Sequence, residues 1–118
     1  MDNILVTGGG GFIGSNLVDT LISKGCNVFV IDNFSTGLKS NINSKVKYYN
    51  NDIMEFIHDK DLLVNIIIKN KIKVVYHLAA FADVRLSITD PIECYNINHI
   101  SSIAILDACK KIAKSKKK

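Results

Sequence analysis

Apolar residues along this chain follow two alternating rhythms. Asn3 to Val6, NILV, is a short apolar run that stops at four glycines, and from Phe12 the spacing changes to Ile13, Leu17 and Leu21 at every fourth position, backed by Val18 and Ile22. The first pattern predicts a strand and the second a helix with one apolar stripe, Phe12 to Ser23, stopped by Gly25. NVFVID, continuously apolar into Asp32, is a second strand. The polar loop NFSTGLKSNINS leads to a third near KVKYY. Helical spacing returns with Leu62, Leu63, Ile66 and Ile67 inside Asp59 to Lys69, and IKVVYHLA reverts to strand. The last helix has a marked start, with Asp90 as cap, Pro91 in the first helical position and Glu93 three past the cap; its pattern runs to about Ile112.

Strand, helix, strand, short crossover, strand, helix, strand, helix predicts an α/β fold: a parallel sheet with helices on both faces, its strands buried on both sides and so lacking alternation. Right-handed crossovers give a doubly wound, Rossmann-type sheet of order 3-2-1-4. At 118 residues and 47% hydrophobic content there is chain for one core. Residues 1–113 are expected to form one nucleotide-binding domain and 114–118 a lysine-rich tail. No apolar run is long enough for a membrane span, and Met1, Asp2 and Asn3 do not begin a secretory signal, so the expectation is a soluble, cytoplasmic chain with no membrane partner.

The formal charge of +4 changes that picture little, because six of the 15 basic residues lie at Lys110, Lys111, Lys114, Lys116, Lys117 and Lys118. The remaining body is mildly acidic. Without interleaved aromatics the lysines read as a solvated helix end rather than a nucleic-acid surface. Cys26, Cys94 and Cys109 are odd in number and form no CxxC, which argues against disulfides or a zinc site and for buried, reduced thiols.

The glycines carry the candidate chemistry. Gly9, Gly11 and Gly14 satisfy G-x-G-x-x-G, and Gly8, Gly11 and Gly14 recur at three-residue steps, directly after a strand and directly before a helix. Such a turn brings bare backbone close to a diphosphate, while the helix start offers unpaired N–H groups and a positive dipole end. Gly11, Phe12 and Ile13 are the expected donors, and Gly14 is expected to serve close helix packing. Asp32, at the end of the second strand, is placed to accept the hydroxyls of an adenosine ribose and to repel a 2′-phosphate; with Asn33 and Phe34 following rather than a cation, NAD fits better than NADP.

The stretches TGGGGFIGSNL, DNFSTG, HLAA and VRLSITDPIECYNIN together resemble the amino-terminal half of the extended short-chain dehydrogenase/reductase family, in particular its NAD-dependent nucleotide-sugar epimerases and dehydratases, with the UDP-glucose 4-epimerases nearest in pattern. The resemblance implies that Phe12 and Ile13 face the pyrophosphate. It places Asp32, Asn33, Ser35, Thr36 and Gly37 around the adenosine ribose and Asp52 and Ile53 at the adenine. Leu78, Ala79, Ala80, Phe81 and Ala82 would line the inner phosphate, ribose and nicotinamide, with Asn98 near them in a polar strip shared with Ser101 and Ser102. His77 is expected to be a hydrogen-bonded structural histidine, and Arg85 either a substrate-facing or a salt-bridging residue.

In that family a tyrosine and a lysine four positions later, aided by a Ser or Thr, move the sugar's hydroxyl proton while hydride passes to and from NAD. Here Tyr48, Tyr49, Tyr76 and Tyr95 are followed at four by Asp52, Ile53, Ala80 and His99. By the resemblance, the sequence covers the fold as far as the helix after strand four. That leaves strand four's apolar edge open to self-association, and a UDP-sugar or other nucleotide-sugar partner would need the remaining half. Three functions stay compatible with the sequence: the NAD-binding portion of a nucleotide-sugar epimerase or dehydratase, a non-catalytic NAD-binding or regulatory module, and an interaction protein using the lysine tail.

Overall fold

The computed structural model describes residues 2–32, 43–51, 55–79 and 88–116. Its strands are β1 (Asn3–Thr7), β2 (Asn27–Ile31), β3 (Lys47–Tyr49) and β4 (Val74–His77), all parallel and in the order β3-β2-β1-β4. The helices are α1 (Phe12–Ser23), α2 (Glu55–His58), α3 (Lys60–Lys69), α4 (Pro91–Tyr95) and α5 (Ser101–Lys116), with a π-helical turn (Asn96–Ile100) joining the last two. The strand order is the one the connectivity demands. The single-turn α2 has no counterpart in the apolar pattern. The last helix runs beyond Ile112 to Lys116, so the first tail lysines continue it.

Two core layers flank the sheet. Leu5 and Ile31 pack with Phe56, Leu63, Ile66, Ile67, Ile72, Ile105 and Ala108, which puts α2, α3 and α5 on one face. Ile4, Val6, Val28 and Val30 pack with Val18 and Leu21 of α1 on the other. β1 is buried from Ile4 to Thr7, as a central strand covered on both faces must be.

Burial on both sides does not extend to the outer strands. Register places Val74 and Tyr76 of β4 beside Ile4 and Val6, on the α1 side, where they are 41% and 38% exposed because α1 packs along β1 and β2. Val75, paired with Leu5, packs against the opposite core. The apolar surface expected at strand four's edge is therefore also a face. The α1 stripe differs as well: Gly14, Val18 and Leu21 are its buried residues, while Ile13 is 71% exposed. Of the cysteines, Cys26 is half-buried, but Cys109 is exposed on α5, against the expectation of burial; the Cys94 side chain lies outside what is described.

Both long connecting helices stop by the same hydrogen-bond pair. After α1, the Gly25 N–H donates to Ile22 O (3.0 Å) and the Cys26 N–H to Leu21 O (3.1 Å), with Gly25 at φ +87°. After α3, the Lys71 N–H donates to Ile68 O (3.1 Å) and the Ile72 N–H to Ile67 O (3.0 Å), with Lys71 at φ +52°. This closure calls for a left-handed residue, which glycine supplies without strain and lysine does not. Asn70 fixes the second turn from outside. Its carbonyl accepts from Asn3 Nδ2 (2.7 Å) and its Nδ2 donates to the Tyr49 hydroxyl (2.9 Å), delivering β4 beside β1.

Candidate functional site

In a sheet of order 3-2-1-4 the chain moves outward in one direction from β1 to β2 and β3, and in the other to β4. The carboxyl end of β1 is thus the switch point, where such sheets bind ligands. The glycine turn sits there. The Gly8 N–H donates to Ile31 O of β2 (2.8 Å), the Gly11 N–H to Gly8 O (3.2 Å) and the Ser15 N–H to Gly11 O (2.9 Å), which starts α1.

A methyl group placed on Gly8, Gly9, Gly11 and Gly14 in turn separates three that the scaffold needs from one that it does not. At Gly8, whose φ is +74°, a Cβ would lie 2.8 Å from the Ala79 backbone nitrogen. At Gly9 it would meet both Val30 methyls at 2.6 Å, and at Gly14 it would overlap the Gly8 carbonyl oxygen. These three let β4's end, β2 and α1 close on the turn. At Gly11 the nearest atom is Gly8 O at 3.5 Å, and φ of −78° suits any residue. Among the described residues, nothing keeps the Gly11 position small.

The helix start beside it is bare. Gly11 occupies the cap position of α1 with no side-chain capping bond, and the first turn holds no acidic residue. Because the Gly11 N–H is spent on Gly8 O, the expected trio of donors reduces to Phe12 and Ile13. Their side chains are 84% and 71% exposed. An uncapped helix start carries about half a positive charge, which suits an anion.

Asp32 closes the other side. One carboxylate oxygen, Oδ2, accepts the Gly10 N–H (2.8 Å), so the side chain that follows β2 is tied to the turn that follows β1. Glycine turn, helix start and carboxylate thereby converge at one point. On the β4 side, Leu78 and Ala79 lead out of the strand with their N–H groups on Thr7 Oγ1, at 3.0 and 3.2 Å. His77 is held between Thr7 Oγ1 (2.7 Å) and Ser101 Oγ (3.4 Å), and burial lowers its pKa. Asn98 lies exposed in the π-helical turn, but the polar strip expected around it does not form. Ser102 donates to the Asn98 carbonyl (2.9 Å), whereas Ser101 is fully buried against His77. The π turn shifts the helix register, which an α-helical reading of the sequence does not anticipate. Asn33, Ser35, Thr36, Gly37, Asp52, Ile53, Ala80, Phe81, Ala82 and Arg85 lie outside the described residues.

Thr7 and Gly10 were not among the site residues expected from sequence. Thr7 had a signal, a polar residue ending an otherwise apolar strand. Gly10 was hidden in a run of four glycines, where the motif spacing uses its neighbours Gly9 and Gly11 and gives it no duty of its own.

Comparison with known proteins shows the family and the fold. The family model described as GDP-mannose 4,6 dehydratase matches residues 5–118. The crystal structure of Thermotoga maritima UDP-glucose 4-epimerase with UDP-glucose superposes with a TM-score of 0.85 at 39% identity, over 92% of this chain and 34% of that one. The Thermus thermophilus UDP-glucose 4-epimerase in complex with NAD gives 0.83 at 34% identity, over 92% and 34%. UDP-glucuronic acid decarboxylase 4 of Arabidopsis thaliana is 35% identical over 109 residues, 92% of this chain and 23% of its own length. The chain spans about a third or less of the length of the relatives it matches.

Proposed function

The chain belongs to the GDP-mannose 4,6-dehydratase family of NAD-dependent epimerases and dehydratases, and from that premise we propose that it is the NAD-binding portion of a nucleotide-sugar epimerase or dehydratase of the UDP-glucose 4-epimerase kind. The observation that carries the reading is Gly11. Its Cβ position is open where those of Gly8, Gly9 and Gly14 are filled, and it caps a helix start with no side-chain capping bond and no acidic residue in its first turn. A diphosphate lying against Gly11 would take the Phe12 and Ile13 amides. The Asp32 carboxylate, oriented by the Gly10 N–H, would accept the adenosine ribose hydroxyls. Leu78 and Ala79 would line the inner phosphate and nicotinamide ribose, with Asn98 beyond them. Asn33, Ser35, Thr36 and Gly37 would complete the ribose pocket, Asp52 and Ile53 would meet the adenine, and Ala80, Phe81 and Ala82 would continue the β4 side.

NAD, when bound, supplies a hydride acceptor and donor. The residues of this chain bind and orient it, and none is assigned the proton transfer, because no tyrosine here has a lysine four positions on. Residues 1–113 form the binding unit in this reading and 114–118 a basic extension. Nucleotide-sugar binding and turnover would require the part of the relatives' length that this chain does not span. Without it, the exposed β4 surface at Val74 and Tyr76 would favour self-association.

Calorimetric titration with NAD tests the reading. Asp32→Ala should lower affinity at least about tenfold, since hydrogen bonds to a charged group contribute roughly 1.5–3 kcal/mol. Absence of saturable heat, or an Asp32→Ala chain that binds like the parent, rejects it.

A further inference from the structure

The polar contacts at the end of β1 and β4 constrain the tautomer of His77. Thr7 is fully buried, and its hydroxyl has three partners: the Leu78 N–H at 3.0 Å, the Ala79 N–H at 3.2 Å and His77 Nδ1 at 2.7 Å. A hydroxyl has two acceptor lone pairs and one proton. The two amides are obligate donors, and although the Leu78 N–H is shared with the Thr7 carbonyl oxygen at 3.1 Å, the Ala79 amide leans on the hydroxyl. With both lone pairs engaged, the Thr7 proton must go to His77 Nδ1, which must then be an acceptor. The imidazole is left with its proton on Nε2, facing Ser101 Oγ at 3.4 Å on α5. The opposite tautomer would put three donors on one fully buried hydroxyl and leave the Thr7 proton without an acceptor among the described residues.

We propose that Thr7 is a positioning residue: its hydroxyl holds His77 as the neutral Nε2–H tautomer and pins the Leu78 and Ala79 amides, so that the end of β4 lies against Gly8 in one conformation. The Gly8 contact makes the placement demanding, because Ala79 N would sit only 2.8 Å from a Cβ there and the two segments have no slack. The relay Leu78/Ala79 to Thr7 to His77 to Ser101 also ties the sheet to α5. That Leu78 and Ala79 then shape the nicotinamide side of a cofactor rests on the NAD-binding reading; the proton arrangement does not.

Long-range 1H–15N correlation spectra of the 15N-labelled full chain test the proposal without any ligand. His77 should appear as a single Nε2–H tautomer, and the Leu78 and Ala79 amides should exchange slowly with solvent. Thr7→Val, nearly the same shape, should collapse the tautomer preference and speed exchange of those two amides at least tenfold, and Thr7→Ser should restore both. An Nδ1–H tautomer or a tautomer mixture in the parent chain overturns the proposal even if Thr7→Val does not fold, as does a Thr7→Val chain with unchanged tautomer and exchange. A parallel NAD titration keeps the two ideas apart: no NAD binding with an intact Nε2–H signal refutes the cofactor reading alone, whereas NAD binding with the wrong tautomer refutes the Thr7 relay alone.

Discussion

Replacing Gly11 and Gly14 separately by alanine should split folding from binding. At Gly14 the added methyl overlaps the Gly8 carbonyl oxygen, which is backbone and has no rotamer to change, so α1 must shift off the turn. Overpacking costs 1–3 kcal/mol where neighbours yield, and here about 3 kcal/mol or more is expected. That is roughly 10 °C or more in Tm for a domain of this size. At Gly11 the methyl meets nothing closer than 3.5 Å and the backbone is already in an ordinary extended conformation. Reduced unfolded-state entropy contributes about 0.4–1 kcal/mol in its favour. Exchanging glycine for alanine at a helix cap loses a similar amount. Stability should therefore change by less than about 1 kcal/mol. The same methyl stands where a diphosphate would lie, so NAD affinity should fall at least about tenfold, ~1.4 kcal/mol. Thermal unfolding by circular dichroism gives the first quantity and calorimetry the second. A Gly11→Ala chain that is stable and binds NAD like the parent, or a Gly14→Ala chain as stable as the parent, would refute the division of labour among the glycines.

Further outcomes follow from other parts of the fold. Lys71→Gly should raise stability by about 0.5–1 kcal/mol in urea titration, because a left-handed φ strains lysine and not glycine. No change or a loss would show the turn to be unstrained. His77, its pKa pushed below the ordinary 6.5 by burial, binds a proton more readily when unfolded. Stability is then full above pH 6.5 and is lost as pH falls from there through the folded-state pKa, and His77→Gln should flatten that part of the profile. Tyr76→Lys, placing a charge on the exposed β4 surface, should lower the sedimentation-averaged mass if that surface drives self-association, and leave it unchanged if it does not.

What the sequence made legible were the features written in local pattern. The chirality of crossovers set the strand order, the spacing of Ile13, Leu17 and Leu21 backed by Val18 and Ile22 marked α1, and Gly25 marked its end. The end of α3 at Lys69 was legible in the apolar spacing, but the left-handed turn after it was not, because Lys71 takes a glycine's place and Asn70 ties the turn to Asn3 and Tyr49 from distant parts of the chain. Ser101 looked like part of a surface strip because an α-helical period was assumed across Asn96–Ile100, where a π turn rotates it toward His77. Within the site, the glycine spacing and Asp32 were readable as motifs. The Gly10 amide on Asp32 and the Thr7 hydroxyl on Leu78 and Ala79 were not, because each joins residues from different strands across the sheet's carboxyl edge. Exposure of Val74 and Tyr76 was half legible: the open edge follows from strand order, while the uncovered face depends on where α1 comes to rest.

The central claim is that the bare α1 start and Asp32 together receive a dinucleotide. Titrating NAD into the 15N-labelled chain while following backbone amides tests it at the atoms concerned. Saturable shifts largest at Gly11, Phe12, Ile13 and Asp32, and shrinking when Gly11 becomes alanine, are the expected result. Amides at these four positions that stay still while NAD is added to millimolar excess, or that move no more than residues along α3, would contradict it.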